Sequence, residues 1–198
     1  MLNVLKHFLA NTSTFPREAG CQKQSIFMVF KPAATATFMT RDEGPPPELT
    51  PEGGLDEGGI YGVLGYQLAQ AAIVTTEVFV RVVGKPLDLR PVEFTILQLV
   101  HENAPVTATK VAKALAVTAP GVTIWLDRLE KRGLLKREQG KTDRRTQNLR
   151  VTRKGDELVT AALGRLLQAD REILKHLSEG ERRMLLELLH KVARSRKH

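Results

Sequence analysis

The residues best suited to chemistry are cations and small polar groups between positions 118 and 154, and the chemistry they suit is recognition of a polyanion. One set is Thr118, Ala119, Pro120 and Gly121 with Thr123, Ile124 and Arg128, at the start and along one face of an amphipathic segment. Thr123 offers a hydroxyl to a base edge, and an outward Ile124 suits thymine methyl groups. Gly121 has no side chain, so a phosphate can come close to the backbone there. The second set is Lys141, Arg144 and Arg145, three cations beside the single carboxylate of Asp143. An arginine at the tip of a hairpin fits a narrow minor groove, where negative potential is concentrated. Asp143 cannot favour DNA by charge, so its expected role is to pair with a neighbouring arginine and structure the wing. Each set has a plainer reading. Ile124 can be an ordinary exposed apolar residue, and 141–145 a solvated charged loop. Their adjacency favours double-stranded DNA as the partner.

The chain from 107 to 155 supplies elements that would position both sets. A helix starting at Ala108 puts Val111 and Leu115 on one face, with small Ala112 at the crossing of two helices. Ala116 falls at the turn, where glycine is common, and Val117 sits beneath it. Thr118 is an N-cap, and Pro120 lies in the first turn, where a missing N–H costs little. Val122, Trp125 and Leu129 form the buried stripe of the second helix, which leaves Ala119, Pro120, Thr123, Ile124, Asp127 and Arg128 facing outward. Leu134–Glu138 and Asn148–Thr152 read as strands around turn residues 139–143, with Leu149 and Val151 on one face. Helix, turn, helix and basic hairpin in this order are a winged helix-turn-helix, assigned to 88–155.

Here the sequence resembles a family. Residues 60–196 are similar to the multiple-antibiotic-resistance regulator (MarR) family of dimeric winged-helix repressors. Leu126-Asp127-Arg128-Leu129-Glu130-Lys131-Arg132-Gly133-Leu134 resembles the end of that family's recognition helix. More specific is the wing pattern D-x-R, three residues, L-x-L-T-x-x-G, met by Asp143, Arg145, Leu149, Thr152 and Gly155, with Val151 in place of a leucine. The chain departs at Arg90, before Pro91, where many members carry a Ser or Thr cap. The resemblance implies that Arg145 enters the minor groove, that Asp143 helps hold it, and that the protein is an obligate homodimer on a palindromic operator. It also implies a small effector, often aromatic or phenolic, between the dimer helices and the DNA lobe. Tyr61, Tyr66 and His101 could line such a pocket or equally be packing residues.

The flanking sequence fits the same architecture: mainly α with a small β-hairpin wing, a DNA lobe plus a helical dimerisation region. Ile60 to Val82 keeps a helical period that Gly84-Lys85-Pro86 is expected to end. Pro91–Val100 is a short amphipathic helix with Phe94, Leu97 and Val100 on one side. Thr152 caps a long helix running to about Leu177, with Leu158, Ala162, Leu166 and Leu167 on its apolar face. Ser178-Glu179-Gly180-Glu181 is a capping box that opens a final helix through Val192. The helices of 59–84 and 156–196 lie outside the compact lobe. They either form a dimer interface or pack as a bundle on their own chain. Dimerisation is favoured, since one winged helix reads only a half-site.

Composition agrees. The net charge is +8, and the span 128–154 holds eleven of the Lys and Arg residues. Residues 1–58 differ in kind and are expected to be a disordered N-terminal extension, with 41–59 rich in Pro, Gly and acids. Residues 1–38 are either a genuine tail or lie upstream of a true start at Met39, and their lack of a folding pattern favours the second. No stretch has the layout of a signal peptide or a membrane span, so a cytoplasmic location without a membrane partner is expected. Cys21 is the only cysteine, which removes thiol sensing from residues 22–198 and excludes disulfides and CxxC metal sites. The five histidines are dispersed. No metal, cofactor or enzymatic motif is assigned. A ligand-responsive repressor leads. The alternatives are an effector-independent or architectural DNA-binding protein, and a winged-helix protein-interaction module.

Overall fold

The computed structural model describes residues 48–139 and 147–196. The extension 1–47, with Met39, and the wing tip 140–146 lie outside them.

Helix α1 (Leu64–Phe79) follows a 3-10 turn (Gly58–Gly62). It does not stop at Gly84-Lys85-Pro86, as the sequence suggested. It continues through a π-helical turn (Val80–Gly84) and one α-turn (Lys85–Leu87), ending at Asp88 in the left-handed region, φ 47°. Pro86 has no N–H for the carbonyl four residues back, Val82. Arg165 donates to that carbonyl at 3.4 Å. The orphaned acceptor thus finds a partner, and the helix tolerates the proline.

Helix α2 (Pro91–Asn103) starts without a hydroxyl cap. The Arg90 backbone N–H donates instead to Glu93 Oε2 at 3.0 Å. A two-residue strand β1 (Val106–Thr107) leads into α3 (Ala108–Leu115), and α4 (Ala119–Lys131) follows. Strands β2 (Leu135–Gln139) and β3 (Gln147–Val151) form the wing. The hairpin expected from sequence is a three-stranded antiparallel sheet in the order β1-β3-β2, with Val106 opposite Leu149 and Leu135 opposite Val151. Two residues are too few to show a period, so β1 carried no sequence signal.

Thr152 caps α5 (Arg153–Ile173), which ends four residues short of Leu177. Ser178 caps α6 (Glu179–Arg194) through the reciprocal box with Glu181, at 3.3 and 2.7 Å. One core unites Val83, Val92, Ile96, Leu97 and Val100 with Val111, Val122, Leu126, Leu129, Leu135, Leu149 and Val159. On α4 the buried stripe is Val122, Leu126 and Leu129, and Trp125 is only half-buried at its edge.

The disorder expected up to residue 58 does not hold for 48–58. Leu49 bridges to Asp56, and Tyr66 on α1 donates to the buried Glu57 carboxylate at 2.9 Å. Gln70 donates in turn to the Tyr66 hydroxyl at 2.7 Å. Backbone bonds and one buried carboxylate hold this segment without any apolar pattern.

Candidate nucleic-acid interface

Two threonine caps orient the helix pair. Thr107 Oγ1 accepts from Lys110 N at 3.4 Å to begin α3, and Thr118 Oγ1 accepts from Gly121 N at 3.3 Å to begin α4. Between them Ala116 takes a left-handed conformation, φ 54°, and its N–H closes the end of α3. A Cβ at Gly121 would stand 3.2 Å from the Thr118 hydroxyl oxygen, so glycine leaves the cap room.

The start of α4 is presented as the sequence indicated. Ala119, Pro120 and Thr123 are exposed, and Ile124 is 70% exposed. Thr118 is exposed as well, and Gly121 is half-buried. The Thr123 hydroxyl donates to the Ala119 carbonyl at 3.0 Å, which leaves its oxygen as an acceptor toward solvent.

Arg128 does not stand with them, and here the outward face drawn from sequence is corrected. Its Nε lies 2.9 Å from Oε1 of Glu93, an ion-pair contact off the line of a hydrogen bond. Glu93 is completely buried. Arg132, one turn on, lies 3.9 Å from the same carboxylate and 3.6 Å from Asp88, and donates to the Leu87 and Asp88 carbonyls. Asp127, half-exposed, is bonded to Arg137, which reaches Glu130 at 3.2 Å. A buried carboxylate needs such compensation, because desolvation strongly disfavours an unpaired charge.

The basic span is therefore less free than its composition implied. Lys136 and Arg150 both pair with Glu138, at 2.7 and 2.9 Å, and hold that carboxyl below the usual glutamate range, the Lys136 hydrogen bond most of all. Arg153 pairs with Glu157, and Lys154 donates to the Arg132 carbonyl. Lys110, Lys113 and Lys131 are exposed and make no ion pair among the described residues. The first two carry no local sequence signal, because only the buried face of α3 shows a helical period. Lys141, Asp143, Arg144 and Arg145 lie outside the described residues.

The Thr-x-x-Gly end of the wing pattern has a clear geometry. Thr152 Oγ1 accepts from Gly155 N at 3.1 Å and donates to the Gly133 carbonyl at 2.7 Å. Thr152 N donates to the Leu134 carbonyl at 3.1 Å. Gly155 lies against that carbonyl so closely that no side chain fits. The wing is thereby fastened to the start of α5.

A 23-mer DNA duplex is bound by the transcriptional repressor CouR in a solved structure that this fold matches with a TM-score of 0.65. The two are 30% identical, and the match covers 70% of this chain and 98% of that one. The MarR family model matches residues 89–146. The chain belongs to the MarR family. It is a MarR-family transcriptional regulator with a winged helix for DNA binding, and that family is one of regulators rather than enzymes. A protein described as a transcriptional regulatory protein for the hcr operon of Thauera aromatica is 26% identical over 140 residues, 71% of this chain and 84% of that protein. BpsR of Bordetella bronchiseptica, whose DNA binding is regulated by 6-hydroxynicotinic acid, shares the MarR fold at 23% identity and a TM-score of 0.60, over 67% of this chain and 94% of that one.

The three residues suggested for an effector pocket each have their own partner or exposure. Tyr66 bonds Glu57, His101 Nδ1 lies 2.8 Å from Asp156, and Tyr61 is half exposed. A shallow cavity of about 290 Å³ lies elsewhere, lined by Leu99, Asn103, Pro105, Val106, Lys110, Val111 and Ala114. Among the described residues no group of His, Cys, Asp and Glu could hold a metal, and no helix is long and apolar enough to cross a membrane.

Proposed function

We propose that this MarR-family regulator is a ligand-responsive homodimeric repressor acting in the cytoplasm on a pseudo-palindromic operator. The observation that carries the DNA half is the start of α4, where Thr118, Ala119, Pro120, Thr123 and Ile124 face solvent while Val122, Leu126 and Leu129 are buried and Asp127 and Arg128 are ion-paired. Thr118, Ala119, Pro120, Gly121, Thr123 and Ile124 enter the major groove, since helix-turn-helix proteins present the first residues of the second helix to the bases. Lys110 and Lys113 add phosphate contacts, because the first helix crosses the backbone. Lys141, Arg144 and Arg145 reach the adjacent minor groove, and Asp143 shapes the tip.

Support for the homodimer comes from α6. None of its residues is buried, yet Met184, Leu185, Leu186, Leu188, Leu189 and Val192 are exposed. A helix with such a stripe needs a partner surface. Exposed Ile60, Val63, Leu64, Ile73 and Val74 on and before α1 supply another part of it. Two copies then place two α4 helices about one helical turn of DNA apart.

The effector reading is supported by BpsR, whose DNA binding responds to 6-hydroxynicotinic acid. We assign a small aromatic or phenolic ligand, and no catalytic step. Such a ligand acts only by preferring one spacing of the recognition helices over another. A thermal-shift screen of aromatic acids and phenols, with each hit tested for release of bound DNA, checks this. A hit that stabilises the protein and weakens DNA binding is the expected result. A set in which no compound moves either quantity favours an effector-independent regulator.

A further inference from the structure

Glu93 is the one fully buried ionisable side chain among the described residues, and it sits on α2 rather than on the DNA-facing elements. Its Oε2 takes the Arg90 N–H at 3.0 Å. Its Oε1 has only the Arg128 guanidinium, at 2.9 Å. The charge is therefore compensated chiefly by Arg128 in the last turn of α4 and by Arg132, the C-cap residue that follows it. Arg132 additionally donates to the Leu87 and Asp88 carbonyls, so the C-terminal half of α4 is seated at several points on the 87–93 segment. Asp88, exposed and left-handed, faces both guanidiniums at 3.9 and 3.6 Å.

We infer that Glu93 is a positioning residue for DNA recognition. Its carboxylate, helped by Asp88, sets the seat of α4 and withholds Arg128 and Arg132 from the phosphate backbone. This rests on the reading that α4 and the wing face DNA. Two long cationic side chains on a helix lying along DNA would extend to solvent if nothing held them, and phosphate contacts from such residues add affinity without sequence information. Held by a buried anion, they contribute to the angle of the helix and not to indiscriminate binding. The base-reading residues at the start of α4 then decide the site.

The test uses the full-length protein and a duplex that it selects from a random pool, with a scrambled duplex of equal length. Each phosphate neutralised contributes roughly 0.9 to the slope of log affinity against log salt. Arg145→Gln should lower the operator slope by about that much, whereas Arg128→Gln should leave it unchanged. A thermal melt across the same salt range confirms that each variant stays folded, so that the slope reports phosphate contacts alone. Glu93→Gln should steepen the slope on the scrambled duplex and reduce the operator-to-scrambled affinity ratio by about tenfold or more, comparable to a mismatched base pair. A merely structural role would weaken both duplexes alike. Should Glu93→Gln not fold, Asp88→Asn tests the same direction with a smaller effect. A fall in slope for Arg128→Gln beside the fall for Arg145→Gln overturns this inference alone. No fall for either variant overturns the DNA-facing reading and this inference together.

Discussion

Gly155→Ala isolates how the wing is joined to α5. Position 155 is the third residue of α5, where alanine on helix propensity alone stabilises by about 1 kcal/mol. The structure opposes this. A Cβ at 155 would lie 2.0 Å from the Leu134 carbonyl oxygen and 2.9 Å from its carbon, where 3.4 Å is the near limit of an ordinary contact. The obstacle is backbone and cannot rotate away. It is also tied down, since Leu134 O accepts the Thr152 N–H and Gly133 O accepts the Thr152 hydroxyl. Overpacking of this kind costs about 1–3 kcal/mol and sometimes more. Strain or loss of the two hydrogen bonds adds about 1 kcal/mol each. Less the propensity gain, Gly155→Ala should destabilise by about 2–4 kcal/mol. Urea unfolding followed by circular dichroism, at equal protomer concentration, measures it. An unchanged or higher midpoint at the same m-value means that propensity wins, and refutes the close approach of Gly155 to Leu134.

Arg145→Ala should weaken operator binding by about 1–3 kcal/mol with the melting temperature unchanged, and fluorescence anisotropy beside a thermal melt checks both. Ile124→Ala should leave stability within about 0.5 kcal/mol, because the side chain is 70% exposed, while discrimination against sites lacking thymine at the contacted position falls. Leu186→Asp, at a site 67% exposed in the single chain, should convert dimer to monomer in sedimentation velocity, whereas a dimer of unchanged stability would take α6 out of the interface. Ser178→Ala should cost about 1 kcal/mol through the lost cap. The Ser178 hydrogen bonds hold the Glu181 carboxyl below its ordinary range, so the cap's support is present at neutral pH and lost as pH falls through that lowered value. An NMR titration of Glu181 in the wild type and in Ser178→Ala measures this, and identical titration curves would contradict it.

What could be read from the sequence was local. Thr118, Thr152 and Ser178 each act on the N–H three residues away, so their spacing alone announces a cap. Val111, Val122 and Leu129 declare themselves by helical period. What was missed depends on residues far apart in the chain. Nothing near Arg128 in sequence points to Glu93, thirty-five positions earlier, so an inward ion pair looked like an outward cation. Trp125 and Leu126 are neighbours on adjoining faces, and only Leu126 enters the buried core, which draws on residues from several distant elements. Pro86 was read as a stop because its remedy, Arg165, comes from α5. The short β1 gains its order from β3 across the sheet. The turn at 48–58 is held by its own backbone bonds and by a tyrosine–glutamate bond to α1, which composition conceals.

On the reading proposed above, two copies of this chain read a two-fold site through α4 and the wing. Selection of duplexes from a random pool, followed by salt-titrated binding of the recovered duplex beside its scrambled counterpart, tests it most directly. The predicted result is an inverted repeat with half-sites about one helical turn apart, bound far more tightly than the scrambled duplex, with affinity falling steeply as salt rises. Recovery of no common sequence, with weak and equal binding to both duplexes, would contradict it.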